Sequence, residues 1–140
     1  MAVSFNEENS FRLKNKLKIK HWIKQIIENH GCKLGEVSYI FCSDERILEV
    51  NQQYLSHDFY TDIITFDYVE KEKISGDIFI SIDRVKENAK DFNVTFQQEL
   101  LRVIIHGVLH LLGFEDHSAE EQQLMRQKEN EAIALWDKVQ

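Results

Sequence analysis

The stretch TFQQELLRVIIHGVLHLLG, residues 95 to 113, reads as one helix. Thr95 followed three residues later by Gln98 is a capping-box pattern that sets its start, and Gly113 offers the conformation in which helices end. Leu101, Val103, Ile104, Ile105, Val108, Leu109, Leu111 and Leu112 point in nearly every direction around the axis. Such a helix is expected to be covered on all sides. His106 and His110 interrupt the apolar run, and at i and i+4 they stand one turn apart on one face. Buried imidazoles need partners. A lone one is ordinarily satisfied by a carbonyl, but two in register can chelate a single ion. Gly113 lets the chain double back, so a side chain from 115 to 117 can reach the same ion. His117 is favoured as the third ligand and Asp116 is the alternative, since zinc also accepts a carboxylate. Three protein ligands plus a water are the usual arrangement of a catalytic zinc site.

The rest of the chain supplies a frame for that helix. With 140 residues and 43% hydrophobic content it is long enough for a single globular domain, read here as 1–140. No repeat, linker or low-complexity tract divides it, and it has no proline. Residues 10 to 30 carry Phe11, Leu13, Leu17, Trp22, Ile23, Ile26 and Ile27 near helical spacing, with Gly31 as the stop. VSF near the start and EVSYIFCS read as strands, and Ser43 with Asp44 opens a helix through ERILEVNQQYL. TDIITFDYV and ISGDIFISI are two further β-rich runs close enough to pair as a hairpin. DRVKENAKDF makes a short helix, and Ser118 with Glu121 caps a last one. The expected fold is α/β: a small mixed sheet of about four strands with about five helices, and the metal site on a central buried helix.

Composition removes several functions. No apolar stretch is long enough to span a bilayer, so no membrane association is expected. Cys32 and Cys42 lack CxxC spacing and no secretory signal is recognisable, which predicts reduced thiols in a cytoplasmic protein. The net charge of −7 argues against a general grip on nucleic acid, and no DNA contact is expected. A local basic stripe remains, with Arg12, Lys14, Lys16, Lys18, Lys20 and Lys24. Runs of this kind are ordinarily solvated helix faces, and this one is at most a weak pointer to RNA.

HGVLHLLGFEDH, residues 106 to 117, resembles the signature of the YbeY family, bacterial rRNA maturation factors described as zinc-dependent endoribonucleases. The likeness extends to NQQYLSHDFYTDIITF, residues 51 to 66, and to SGDIFIS, residues 75 to 81. The resemblance implies one Zn²⁺ per chain, cleavage of single-stranded ribosomal RNA during maturation of the small-subunit 3′ end, a part in ribosome quality control, and ribosomal partners. Two positions depart from the family pattern. The family's third histidine falls where this chain has Asp116, with His117 one residue later. An arginine common after the tyrosine of N-x-x-Y is replaced by Leu55, which leaves Arg46, Arg84 or Arg102 as candidate substitutes.

Around the histidines, Thr61, Asp62 and Asp77 are candidates for supporting the ligands or contacting RNA, while strand-end hydrogen bonds would account for them equally well. His57 is expected in solvent, and Trp22 and Trp136 as core anchors. Gly107 stands where H-E-x-x-H proteases carry their general base, which argues against peptide hydrolysis. A metal-stabilised ribosome-assembly or RNA-binding factor that cuts nothing is the alternative from another functional class.

Overall fold

The computed structural model describes residues 3–55 and 61–139. Its elements run β1 (Val3–Glu7), α1 (Lys16–Asn29), β2 (Lys33–Cys42), α2 (Asp44–Leu55), β3 (Ile63–Asp67), β4 (Lys73–Ser81), α3 (Ile82–Asp91), α4 (Phe96–Leu111) and α5 (Ala119–Trp136). The four strands form one mixed sheet in the order β1-β2-β4-β3. β1 and β4 both lie parallel to β2, and β3 returns antiparallel to β4 as the expected hairpin. Four strands and five helices match the α/β architecture read from the sequence.

Alternation along the strands gives the two faces of the sheet different partners. Val37, Tyr39 and Phe41 of β2, with Ile74, Ile78 and Ile80 of β4, join the main core with α1, α4 and α5. Ile40 and Cys42 of β2 and Phe79 of β4 face the other way, toward a smaller cluster with Ile47 and Val50 of α2. The helix read as central is so: Leu100, Ile104, Ile105, Val108 and Leu109 are all buried to within 1% exposure. Its capping box is complete, with Gln98 N–H donating to Thr95 Oγ1 (3.1 Å) and Thr95 N–H to Gln98 Oε1 (2.9 Å). Trp22 anchors α1 to α5, donating from Nε1 to the Ala132 carbonyl at 2.7 Å and meeting Trp136 edge-on at 5.2 Å.

The first helix starts later than its periodicity suggested, at Lys16 instead of residue 10. Asn9 and Asn15 both adopt left-handed backbone conformations (φ 60°), and the Glu7 carboxylate accepts from the Leu13 amide and from Lys16 Nζ. Phe11 therefore serves the core from a loop, packing on Phe41 at 5.3 Å. An apolar spacing close to helical had a non-helical cause.

Two glycines set the distance between α4 and the sheet. A Cβ on Gly107 would stand 2.9 Å from Ile78 Cδ1 and 3.1 Å from Ile63 Cδ1, side-chain atoms that can give slightly. One on Gly76 would stand 2.5 Å from the Phe66 carbonyl oxygen and 2.9 Å from Leu111 Cδ2, and a paired strand's backbone cannot yield. Gly76→Ala is accordingly expected to destabilise the protein by roughly 3 kcal/mol, and Gly107→Ala by about 1 kcal/mol once the better helix propensity of alanine is counted. Urea denaturation of the two variants would check the order.

Candidate metal centre

His106 and His110 project from one face of α4, their Nε2 atoms 2.9 Å apart and their rings nearly perpendicular (82°). Beyond α4 the chain turns sharply. Gly113 takes φ 103°, and the amides of Gly113 and Phe114 return to the carbonyls of His110 and Leu109 (3.0 Å each). That reversal brings Asp116 Oδ2 to 3.3 Å from His106 Nε2 and 3.5 Å from His110 Nε2. The loop is tied to α5, where Gln122 Nε2 donates to the Asp116 carbonyl (3.2 Å) and Glu121 Oε1 accepts the amides of His117 and Ser118.

These three side chains form the one group among the described residues with metal-ligand convergence. Zinc bonds of ~2.0–2.2 Å in tetrahedral array place their donor atoms roughly 3.3–3.5 Å apart, so separations of 2.9, 3.3 and 3.5 Å fit one small ion between them. His117, the favoured third ligand, is elsewhere: its side chain is 81% exposed and its Nε2 lies 3.3 Å from the Glu115 carboxylate. A one-residue offset after the glycine turn is enough to swap which of two adjacent side chains faces inward.

Support comes from α5. Glu129 Oε2 lies 2.7 Å from His106 Nδ1, and Glu129 Oε1 accepts from Arg102 at 2.8 Å. A carboxylate on Nδ1 holds that nitrogen as the N–H donor, which leaves the Nε2 lone pair facing Asp116 and His110. Burial opposes a positive charge on His106, but the Glu129 hydrogen bond and the charges of Glu129, Asp116 and Asp62 outweigh it and raise its pKa. For Glu129, burial works against the anion, while hydrogen bonds from His106 and Arg102 prevail and lower its pKa. This surplus of negative charge around two imidazoles is a setting for a cation.

The group forms one wall of an open cleft of about 460 Å³ between α4, the following loop and β3. Thr61 and Asp62 also line it, with Thr65 and Asp67 of β3. The Asp62 carboxylate accepts from Asn88 Nδ2 at 3.2 Å, and burial raises its pKa. The Thr61 hydroxyl contacts the Ile63 carbonyl at 3.4 Å. Asp77 is not drawn to the centre; it alternates with Ile78 onto the α2 face of the sheet and accepts from the Tyr68 hydroxyl at 3.2 Å. His57 lies outside the described residues.

The sequence profile described as Endoribonuclease YbeY matches residues 4–137. The chain is 52% identical over 136 residues to the Endoribonuclease YbeY of Parabacteroides distasonis, covering 96% of both chains. It is 48% identical over 134 residues to that of Flavobacterium johnsoniae, again covering 96% of each. The chain belongs to the endoribonuclease YbeY family. The solution structure of TM1509 from Thermotoga maritima is similar in fold, with a TM-score of 0.65 and 32% identity over 97% of this chain and 92% of that one.

Within this YbeY fold, Leu55 is partly exposed at the end of α2, and the three arginines considered as substitutes are placed very differently. Arg46 pairs with Glu8 and Glu49, and Arg84 with Asp44, and neither is among the described residues that line the cleft. Arg102 touches the centre through Glu129. Glu129 itself escaped the sequence reading, although a signal existed: it shares the buried stripe of α5 with Met125 and Ala132, an acid where an apolar residue belongs.

In metal-free protein the Glu129–His106 pair contributes its full stability between about pH 4.5 and 6.5, the ordinary values of the two groups. Glu129 is lowered, so its share is lost as pH falls through its folded value; His106 is raised, so its share is lost as pH rises through its folded value. Urea midpoints measured with chelator across that range are expected to fall on both sides, and Glu129→Gln should flatten the alkaline slope.

Proposed function

We propose that this YbeY-family protein is a zinc-dependent endoribonuclease that cuts single-stranded RNA in the cytoplasm. Ribosomal RNA is its substrate, in maturation of the small-subunit 3′ end and in ribosome quality control, and the ribosome or its proteins are its partners. The observation that carries the reading is the convergence of His106, His110 and Asp116 at zinc-type spacing on the wall of an open cleft. Among the described residues three donors converge, which leaves a position for solvent or substrate. The absence of a glutamate at position 107 and the family's endoribonuclease activity both favour a phosphodiester over a peptide.

His106, His110 and Asp116 would hold the zinc ion. When bound, the ion supplies Lewis acidity, polarising a phosphoryl oxygen and acidifying a water molecule. The protein's own groups do the rest. Glu129 keeps the proton on His106 Nδ1, so that Nε2 stays available as a ligand atom. Asp62, which lines the same cleft, would accept the proton of the attacking oxygen, whether that oxygen belongs to water or to a ribose 2′-hydroxyl. Thr61 sits beside it as a neutral hydrogen-bonding group for the substrate.

Elemental analysis of purified protein is expected to find about one zinc per chain. His106→Ala and Asp116→Ala should lose it, with RNA cleavage falling at least about a hundredfold, while His117→Ala retains both. Zinc lost from His117→Ala and kept by Asp116→Ala would instead give the third place to His117. Wild-type protein that takes up no metal would end the catalytic reading, and zinc-loaded protein that binds RNA without cutting it would leave the assembly factor.

A further inference from the structure

The metal cleft has a continuation on the far side of His106. A cavity of about 270 Å³ reaches His106 and Asp116 and is bordered by Phe92, Glu99, Arg102 and Arg126. The same four residues border a larger pocket of about 550 Å³, set between the turn after α3 and the end of α5, where Gln97 and Trp136 complete the wall. The two spaces are therefore neighbours, divided by shared side chains of which Phe92 and Arg126 are exposed. Among the described residues no lysine or arginine lines the 460 Å³ cleft, whereas Arg102 and Arg126 border both of these spaces. Arg102 is committed to Glu129 and Asn130, at 2.8 and 3.1 Å. Among the described residues Arg126 makes one long contact, to Glu129 (3.6 Å), and its side chain is 58% exposed, so its guanidinium can take a second anion.

The pocket itself combines what a nucleobase needs. Phe92, 60% exposed at the end of α3, offers an unused aromatic face. Gln97 Nε2 is buried and meets no acceptor among the described residues, a donor whose desolvation none of them offsets. Turned toward the pocket that Gln97 lines, the amide would be satisfied by a base carbonyl or ring nitrogen. Trp136 packs on Trp22 as the core anchor expected of it, but it is only partly buried and carries Lys18 Nζ 4.2 Å above its ring, which extends the aromatic character of this surface toward α1, while Glu99 and Asp137 balance the two arginines in the pocket wall.

We propose that this pocket is a nucleotide subsite, which rests on the endoribonuclease reading. It takes the base one nucleotide removed from the scissile bond, out of reach of a dinucleotide, against Phe92 and Gln97, with the phosphate in between on Arg126. Specificity at that position then comes from the Gln97 amide reading a base edge.

The test is fluorescence anisotropy with labelled single-stranded RNA of two and six nucleotides on the zinc-loaded protein. Wild type should bind the hexamer more tightly than the dimer. Phe92→Ala and Gln97→Ala should each weaken the hexamer about tenfold, erasing most of that preference. Arg126→Ala should reduce the slope of log affinity against log salt by about one, and Arg126→Lys should restore it. Variants that keep the wild-type affinity, length preference and salt slope would overturn the subsite. Cleavage of the same hexamer separates the two ideas: cleavage with binding indifferent to Phe92 overturns the subsite alone, and binding that depends on Phe92 without cleavage supports the subsite and overturns the enzyme. A protein that binds neither RNA overturns both.

Discussion

A helix that is apolar in nearly every direction has to be enclosed, and α4 imposes that requirement on everything around it. The sheet covers one side, α1 and α5 close others, and α3 packs near its start. Burial of this kind contributes about 25 cal/mol for each Å² removed from water, which makes α4 the natural centre of stability. It also makes α4 a rigid mount. Two imidazoles carried on consecutive turns of an immobilised helix keep their separation without help from a ligand, and ordering entropy that would otherwise oppose metal binding has already been met by folding.

The enclosure is open at one corner, and the centre lies there. His106 and His110 are each about a fifth exposed, Asp116 somewhat more. Around them Asp62, Glu99 and Glu129 concentrate negative charge in partly desolvated positions, with Arg102 and Arg126 on the outer side. Charges of both signs meet here: acids surround the ligand atoms, and Arg102 and Arg126 stand among Glu99, Glu129 and Asp137 beyond them. A net charge of −7 thus conceals an arrangement in which a metal cation and a polyanion each meet groups of the opposite sign.

Most of this was legible in the residues because the strongest signals were local. Capping boxes at Thr95 and Ser118, the glycine stop at Gly113 and the i, i+4 histidines all act within one turn of helix, and each is found as read. What escaped depends on contacts distant in sequence. Which of Asp116 and His117 turns inward is set by the loop's ties to Glu121 and Gln122, and the choice between them is invisible in spacing alone. Glu129 reaches His106 across 23 positions, and Asp77 is turned away by strand alternation that only the register reveals. Phe11 and Leu13 mimicked a helix because a packed loop can present apolar residues at a similar interval.

The space beside Gly107 bears on how this scaffold can change its chemistry. Ile78 and Ile63 come so close that even a methyl group there must push them aside. A carboxylate at that position would be driven into the hydrophobic layer between helix and sheet, without water and without a partner, and would not face the ion. The step from this histidine pair to a zinc protease is therefore closed to single substitutions. It would require α4 to lift from the sheet, and with it the enclosure that holds the two histidines in place.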